Sequence, residues 1–443
     1  MGLLHFMEVM SVLRKIKRLV PERSPLRLGW HYAKAFIAAL RYGFPARKLT
    51  VIGITGTDGK TTTVMMTAHI LRSAGKKSGV ISTTAFHIDD RVELNVTQKT
   101  SMSPSIVQKK LRQMVNAGCT FAVIEVSSHG LVQGRVHHIY PAVAAITNTS
   151  PEHLDYHKTM EQYRRDKGKL FSMLKRKGAK VLNAADETYA LYSLIPSSET
   201  IIYGKEGSDL WVTDVASLSS GCHARLHTDL GGVSDLTLSI PGTFNLENAQ
   251  CAIGCAMAIG IPLETSLDAL KSFRGVEGRL QRIDEGQLFN VYVDFTVTPE
   301  AYRRTLETLR GMTPPGKRVL VLASSCGNRM PEKRPLIGRI TSDLADIVVV
   351  TSDETYGEPH GKIMDEIWEG IDQDSAIAFR VPDRREAIEF ILAQAQEGDS
   401  VALCGMGGVT TMMTAKGQIP WDEAKIARDV LRLVFPPLPS SPK

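Results

Sequence analysis

The sequence predicts an α/β protein built of two doubly wound units. Three observations predict it. Strand-like apolar runs alternate with helically spaced ones along most of the 443 residues. The first clear strand, 51–55, breaks into a glycine-bracketed turn and then becomes helical, the order in which an α/β sheet holds a phosphate. The alternation stops once, at 273–279, and then begins again. The expected fold is therefore a P-loop central domain with a mostly parallel sheet, followed by a smaller Rossmann-like α/β C-terminal domain.

The segments divide accordingly: a basic helical segment 1–47, a nucleotide-binding central domain 48–275, a C-terminal domain 276–435 and a tail 436–443. Apolar residues make up 43% and charged residues 23%, the balance of a soluble globular protein. Cysteines 119, 222, 251, 255, 326 and 404 are scattered without a Cys-x-x-Cys pair, which argues against a disulfide framework or a zinc ribbon and suits a reducing cytoplasm. No apolar run approaches the roughly 18 residues of a membrane span. Residues 1–48 hold ten Lys or Arg against Glu8 and Glu22, so the net charge of +6 is one local feature. The spacing of 3–20 is helical, with Arg14, Lys15, Lys17 and Arg18 near its end. That segment could lie on an anionic membrane surface or pack, solvated, on the next domain. It lacks the charged start of a secretory signal. A monomer with no nucleic-acid partner is expected.

In chain order, Gly56, Thr57, Asp58, Gly59, Lys60, Thr61 and Thr62 form the turn after the first strand. The glycines allow positive φ and close approach of backbone N–H groups to an anion. Lys60 supplies a point charge to the β- and γ-phosphates, and Thr61 a hydroxyl for magnesium. The strict loop pattern wants another glycine where this chain has Ile54, so the match is to a variant. A strand follows at 79–82, and 83–100 reads as a β-rich excursion or a substrate loop. Ser103 and Pro104 start a helix ending at Gly118. Strand 120–126 delivers Glu125, Ser127, Ser128 and His129 to its C-terminal end, and 142–147 delivers Asn148, Glu152, His153, Asp155 and His157, where ligands collect in open sheets. Thr159 with Gln162 makes a capping box for a helix that carries Lys167, by default a surface lysine. Pro151 and that cap place His153 and His157 in a loop, against a helical zinc pair. Short strands from 201 to 240 extend the sheet, and an Ala-rich helix begins near Asn245 and Asn248. Beyond 273–279, strands near 289–295, 317–323, 346–351 and 399–404 alternate with helices, and Pro420-Trp421-Asp422 opens a last helix.

With these motifs assembled, the chain resembles the Mur ligases, ATP-dependent amide-bond ligases of cell-wall synthesis, and most closely their MurE-like branch. The resemblance rests on Gly56-Thr-Asp-Gly-Lys-Thr-Thr62, Glu125-Val-Ser-Ser-His-Gly-Leu-Val-Gln-Gly-Arg135, Thr147-Asn-Thr-Ser-Pro-Glu-His-Leu-Asp-Tyr-His157, Phe244-Asn-Leu-Glu-Asn248, Gly278-Arg279 and Val293-Asp294, in that order. It implies ATP-driven addition of an amino acid to a UDP-N-acetylmuramoyl-peptide through an acyl phosphate. It also implies Thr61 and Glu125 at one Mg2+, and His153 with a carbamylated Lys167 at a second. Lys60, Glu125, His153 and Lys167 become the catalytic set, and Asn248, Arg279 and Asp294 join the loop in holding ATP. Thr100, Ser101, Ser127, Gln133 and Arg135 fall where the family holds the muramoyl-peptide, and Arg329 and Asp353 where it holds the amino acid.

The chain also departs from the family pattern. About 48 residues stand where a uridine-nucleotide domain is usual. Asp294-Phe-Thr-Val-Thr-Pro299 lacks a histidine, Tyr356 replaces an arginine after Asp353-Glu-Thr, and Gly405-Met-Gly-Gly-Val409 lacks a glutamate. The added amino acid stays open. So do a folylpolyglutamate-like or lipid-linked acceptor, and a nucleotide-binding regulatory protein descended from such a ligase.

Overall fold

The computed structural model describes residues 21–434 apart from 22, 96, 98, 175–177 and 230, so the expectations for 1–20 and for the tail lie outside the described residues. Two sheets carry the chain. The larger holds β1 (Thr50–Thr55), β2 (Ser78–Ile81), β3 (Ala85–Ile88), β4 (Arg91–Leu94), β5 (Phe121–Glu125), β6 (Val143–Ile146), β7 (Ala179–Asn183), β8 (Glu199–Tyr203), β9 (Leu210–Leu218), β10 (Gly221–Thr228) and β11 (Val233–Leu238). Their order is β11-β10-β9-β8-β7-β6-β1-β5-β2-β3-β4. From β9 across to β2 every pairing is parallel, and β3, β4, β10 and β11 add antiparallel edges. The smaller sheet joins β12 (Gln281–Ile283), β13 (Asn290–Asp294), β14 (Val319–Ala323), β15 (Ile347–Val350), β16 (Ile377–Arg380) and β17 (Ser400–Cys404) in the order β12-β13-β17-β14-β15-β16, parallel except for β12. A hairpin, β18 (Thr411–Thr414) and β19 (Gly417–Pro420), stands apart.

The helices are α1 (Pro25–Arg41), α2 (Lys60–Ser73), α3 (Pro104–Asn116), α4 (Ser128–Val132), α5 (Leu154–His157), α6 (Met160–Ser172), α7 (Tyr189–Ser193), α8 (Phe244–Met257), α9 (Leu263–Lys271), α10 (Pro299–Met312), α11 (Lys333–Leu344), α12 (His360–Trp368), α13 (Arg384–Gln394) and α14 (Glu423–Val434). None is long and apolar enough to cross a membrane among the described residues. Strand alternation sorts the core. Ile52, Ile54 and Val123 pack with Val64 of α2 and Ala252 of α8, whereas Val51, Ala122 and Ile124 face Leu111 of α3 and Leu170 of α6. β1 lies between β5 and β6, so strand order reverses there and a crevice opens at their C-terminal ends.

Several elements differ from the sequence expectation. α1 is a full helix inside the basic segment 1–47, beyond the 3–20 stretch whose spacing reads as helical. Ser24 Oγ accepts from the Arg27 N–H at 3.4 Å, Pro25 sits in the first turn, and Ala35, Ala38 and Ala39 are buried. Leu154–His157 is a short helical turn and not a loop, with His153 in the left-handed region at φ 56. The Thr159 cap forms, its Oγ1 accepting from the Gln162 N–H at 3.1 Å.

Candidate active site

A cleft of about 500 Å3 opens at the ends of β1, β5 and β6 and is bounded on its far side by the second lobe. Gly59 caps α2 in the left-handed region at φ 79, and a Cβ there would sit 2.1 Å from Asn248 Oδ1. At Gly56 a Cβ would meet Thr147 Oγ1 at 1.9 Å. The two glycines are thus demanded by the close passage of α8 and of the segment after β6. The same segment pins the turn: Thr57 N–H donates to the Asn148 carbonyl at 2.8 Å, Asp58 N–H to Asn148 Oδ1 at 3.0 Å, and the Thr147 hydroxyl to the Asp58 carbonyl at 2.6 Å. Lys60 Nζ donates back to the Thr57 carbonyl at 2.7 Å. Burial lowers the pKa of its ammonium, with Glu125 and Asp58 opposing.

Glu125, at the end of β5, accepts from Thr61 Oγ1 at 3.0 Å, from Thr83 N–H at 2.8 Å and from Thr83 Oγ1 at 2.9 Å. Thr61 Oγ1 and this carboxylate are hard oxygen donors facing one cleft and would suit a magnesium ion. Among the described residues no group of three His, Cys, Asp or Glu forms a metal cage by itself.

Behind the turn, Lys167 of α6 is buried, its Nζ donating to the Gly56 carbonyl at 2.6 Å and lying 4.4 Å from the Tyr163 ring centroid. Burial, and then the charge of Lys60, hold this ammonium well below the usual lysine range. His153 meets the His129 ring at 4.8 Å, and burial drives its imidazole down to about 2 and that of His129 to about 3. Both are neutral bases near pH 7. His157 turns the other way: Nδ1 lies 2.8 Å from Asp166 Oδ2 and Nε2 3.0 Å from Ser128 Oγ. Arg23 closes that network with two bonds to Asp166, at 2.7 and 3.0 Å. His153 and His157 therefore do not converge on one ion.

On the side of β5, Ser127 N–H donates to Ser101 Oγ at 3.0 Å, and Arg135 donates to the Ser101 carbonyl at 2.9 Å and to Gln133 Oε1. Thr100 Oγ1 is 3.0 Å from Thr83 Oγ1. From the second lobe, Arg279 reaches Thr61 Oγ1 at 3.4 Å over the face of Phe295. Asp294 is half-buried and accepts from the Leu280 N–H and the Thr296 hydroxyl, and desolvation raises its carboxyl. The Arg329 guanidinium lies 5.4 Å from the Tyr356 ring centroid, and Asp353 accepts from Ser324 Oγ at 3.0 Å.

Of the sequence-derived site residues, Thr57, Asp58, Gly59, Lys60, Thr61, Thr62, Thr100, Ser101, Glu125, Ser127, Arg135, His153, Asn248, Arg279, Asp294, Arg329 and Asp353 line this one cleft. Gly56, Gln133 and Lys167 stand just behind it. Gln133 braces Arg135 and reaches the Tyr156 hydroxyl at 3.3 Å. Thr83, Thr298, Lys333 and Glu354 also line the cleft without having been singled out. Thr83 follows β2 in a run of hydroxyl residues with nothing to distinguish it, and Lys333 meets Glu152 (Nζ to Oε1 3.9 Å) only because the lobes are folded together. Glu152 itself is buried with Oε2 lacking a hydrogen-bond partner among the described residues, and burial raises its carboxyl.

Comparison with known proteins matches residues 54–256 to the Mur ligase middle domain and residues 278–407 to the Mur ligase, glutamate ligase domain. The UDP-N-acetylmuramoyl-L-alanyl-D-glutamate--2,6-diaminopimelate ligase of Geobacillus kaustophilus (strain HTA426) is 36% identical over 407 residues, which span 90% of this chain and 82% of that protein. The UDP-N-acetylmuramyl-tripeptide synthetase of Roseiflexus sp. (strain RS-1) is 36% identical over 419 residues, with the same coverage. Among solved structures, a UDP-N-acetylmuramoyl-L-alanyl-D-glutamate--2,6-diaminopimelate ligase aligns at a TM-score of 0.61 and 29% identity over 87% of this chain and 79% of that one. MurF from Acinetobacter baumannii shares the fold at a TM-score of 0.66 and 21% identity, over 85% and 77%. With both domain models matched in order across the two lobes, and relatives of this identity spanning nine-tenths of its length, the chain belongs to the Mur ligase family.

Proposed function

We propose that the chain is an ATP-dependent ligase that adds an amino acid to a UDP-N-acetylmuramoyl-peptide, a peptidoglycan precursor, through an acyl phosphate. One observation carries the reading: the glycine-bracketed turn and Glu125 of the first lobe face Arg279 and Asp294 of the second across a single cleft. Two magnesium ions, one held by Thr61 and Glu125 and one by His153 with a carbamylated Lys167, would supply charge neutralisation to the phosphates. The chain's own residues do the rest. The N–H groups at the start of α2, with Lys60, cradle the triphosphate and draw charge toward its γ end. Asn248, Arg279 and Asp294 hold the nucleotide from both lobes, divided near residue 275. Thr100, Ser101, Ser127, Gln133 and Arg135 position the muramoyl-peptide carboxylate, and Arg329 and Asp353 the incoming amino acid.

Burial supports the role given to Lys167. Its uncharged amine is the form that adds carbon dioxide, giving a carbamate anion and releasing one proton, whereas an ammonium would repel a cation. The protein acts as a cytoplasmic monomer in this reading, with residues 1–20 free to touch a membrane surface. The experiment is phosphate release from ATP with UDP-N-acetylmuramoyl-dipeptide and a panel of lysine, diaminopimelate and ornithine. Release that needs acceptor and amino acid together supports the ligase and names the third substrate. Intact ATP binding without turnover on any acceptor would favour the regulatory alternative.

A further inference from the structure

α1 presents a second surface. Leu26, Trp30, Ala33, Ile37 and Leu40 recur at intervals of four and three residues, which places them on one stripe of a helix about 25 Å long. That stripe faces outward: Leu26 is 83% exposed, Trp30 58%, Ile37 58% and Leu40 59%, with Phe36 beside them. The opposite face is fixed. Ala35, Ala38 and Ala39 are buried, the Tyr32 ring packs at 4.4 Å on His137, and Phe36 meets Phe44 and His138 edge-on. An apolar seam on a firmly seated helix is what an interaction surface requires.

Charge selects the occupant. Around the stripe, Lys34, Arg41, Arg47 and Lys48 are basic, and from 23 to 48 the sequence has no acidic residue. Lys34 lies along the Trp30 ring, 4.9 Å from its centroid, as a lysine does when its stem follows an apolar surface and its charge reaches outward. A second copy paired antiparallel about Lys34 would bring Lys34 toward Lys34. That option gathers like charges. A surface of anionic lipid headgroups offers apolar depth for the stripe and opposite charge for its flanks.

We infer that the outer face of α1 docks on an anionic lipid bilayer, with Leu26, Trp30, Ile37 and Leu40 entering the headgroup–acyl boundary and Lys34 and Arg41 meeting lipid phosphates. The test is co-sedimentation of the full chain with phosphatidylcholine vesicles, with and without about a third of phosphatidylglycerol. Binding to the anionic vesicles is expected to exceed that to neutral ones by at least ~10-fold and to weaken with salt. The quadruple variant Leu26→Ser/Trp30→Ser/Ile37→Ser/Leu40→Ser replaces only exposed side chains. It should keep wild-type ATP binding and lose at least ~10-fold in vesicle affinity. Undiminished vesicle binding by that variant overturns the inference. So does a wild-type dimer, seen by light scattering, that this variant alone splits. A third outcome also overturns it: reversing Arg14, Lys15, Lys17 and Arg18 removes all binding while the serine variant retains it.

Discussion

The Lys167 amine donates a 2.6 Å hydrogen bond to the carbonyl of Gly56, the residue that opens the phosphate turn. A charged lysine is costly at this depth, and burial lowers its pKa accordingly. Lys167→Ala should lower phosphate release by ~100-fold or more while ATP still binds, and added bicarbonate or short carboxylates should restore part of the loss. Carbon NMR of wild-type protein in labelled bicarbonate should show a carbamate signal that the variant lacks. Full activity in the variant would remove Lys167 from the site.

Arg279 reaches Thr61 from the other lobe, and the same hydroxyl donates to Glu125. Arg279→Ala is expected to raise KM for ATP and lower kcat, each by ~10-fold, as a clamp on the triphosphate is released. The thermal midpoint should move little, because the guanidinium lines a cleft and supports no core. An unchanged KM with a collapsed midpoint would make Arg279 a purely structural residue.

Gly59→Ala forces a Cβ to within 2.1 Å of Asn248 Oδ1 at a backbone φ of 79. The left-handed conformation alone costs an alanine ~1–2 kcal/mol. Calorimetric ATP affinity should fall at least ~10-fold, and Gly59→Ala/Asn248→Ala should recover only part of it, since the strain in φ remains. Equal affinity in both single and double variants would show that the turn does not approach the nucleotide.

In the second lobe Arg334 is fully buried and paired with Glu358 and Glu366. Its hydrogen bond, and then the Asn328 N–H, hold the Glu358 carboxyl down at about 2 from an ordinary 4.5. A lowered folded-state value gives stability that is complete above pH 4.5 and is lost as pH falls toward 2. Urea midpoints followed through that window should drop in wild type. Arg334→Ala should already be destabilised by ~1–3 kcal/mol at neutral pH, because it leaves both carboxylates to Lys362 alone among their cationic partners, and should show a flatter acid dependence. Parallel acid profiles would assign the pH effect elsewhere.

Much of this was legible in the residues themselves. Strand period, glycine placement and the caps locate β1, β5, β6 and α2, because each depends on neighbours within a few positions. The partners that close the site are legible only through the family resemblance or not at all. Lys167 reads as a surface lysine until Gly56 covers it, and Arg279 is 218 positions from Thr61. Thr83, Lys333 and Glu354 act across turns or between lobes, where no local pattern marks them. β16 and the β18–β19 hairpin are too short and too exposed to alternate clearly.

The grip of Arg23 on Asp166 has a practical bearing. Asp166 precedes Lys167 on α6, so anything that tugs on the polypeptide ahead of α1 tugs on the turn of helix that carries Lys167. Purification handles and fluorescent fusions joined in front of this arginine invite kinetic artefacts.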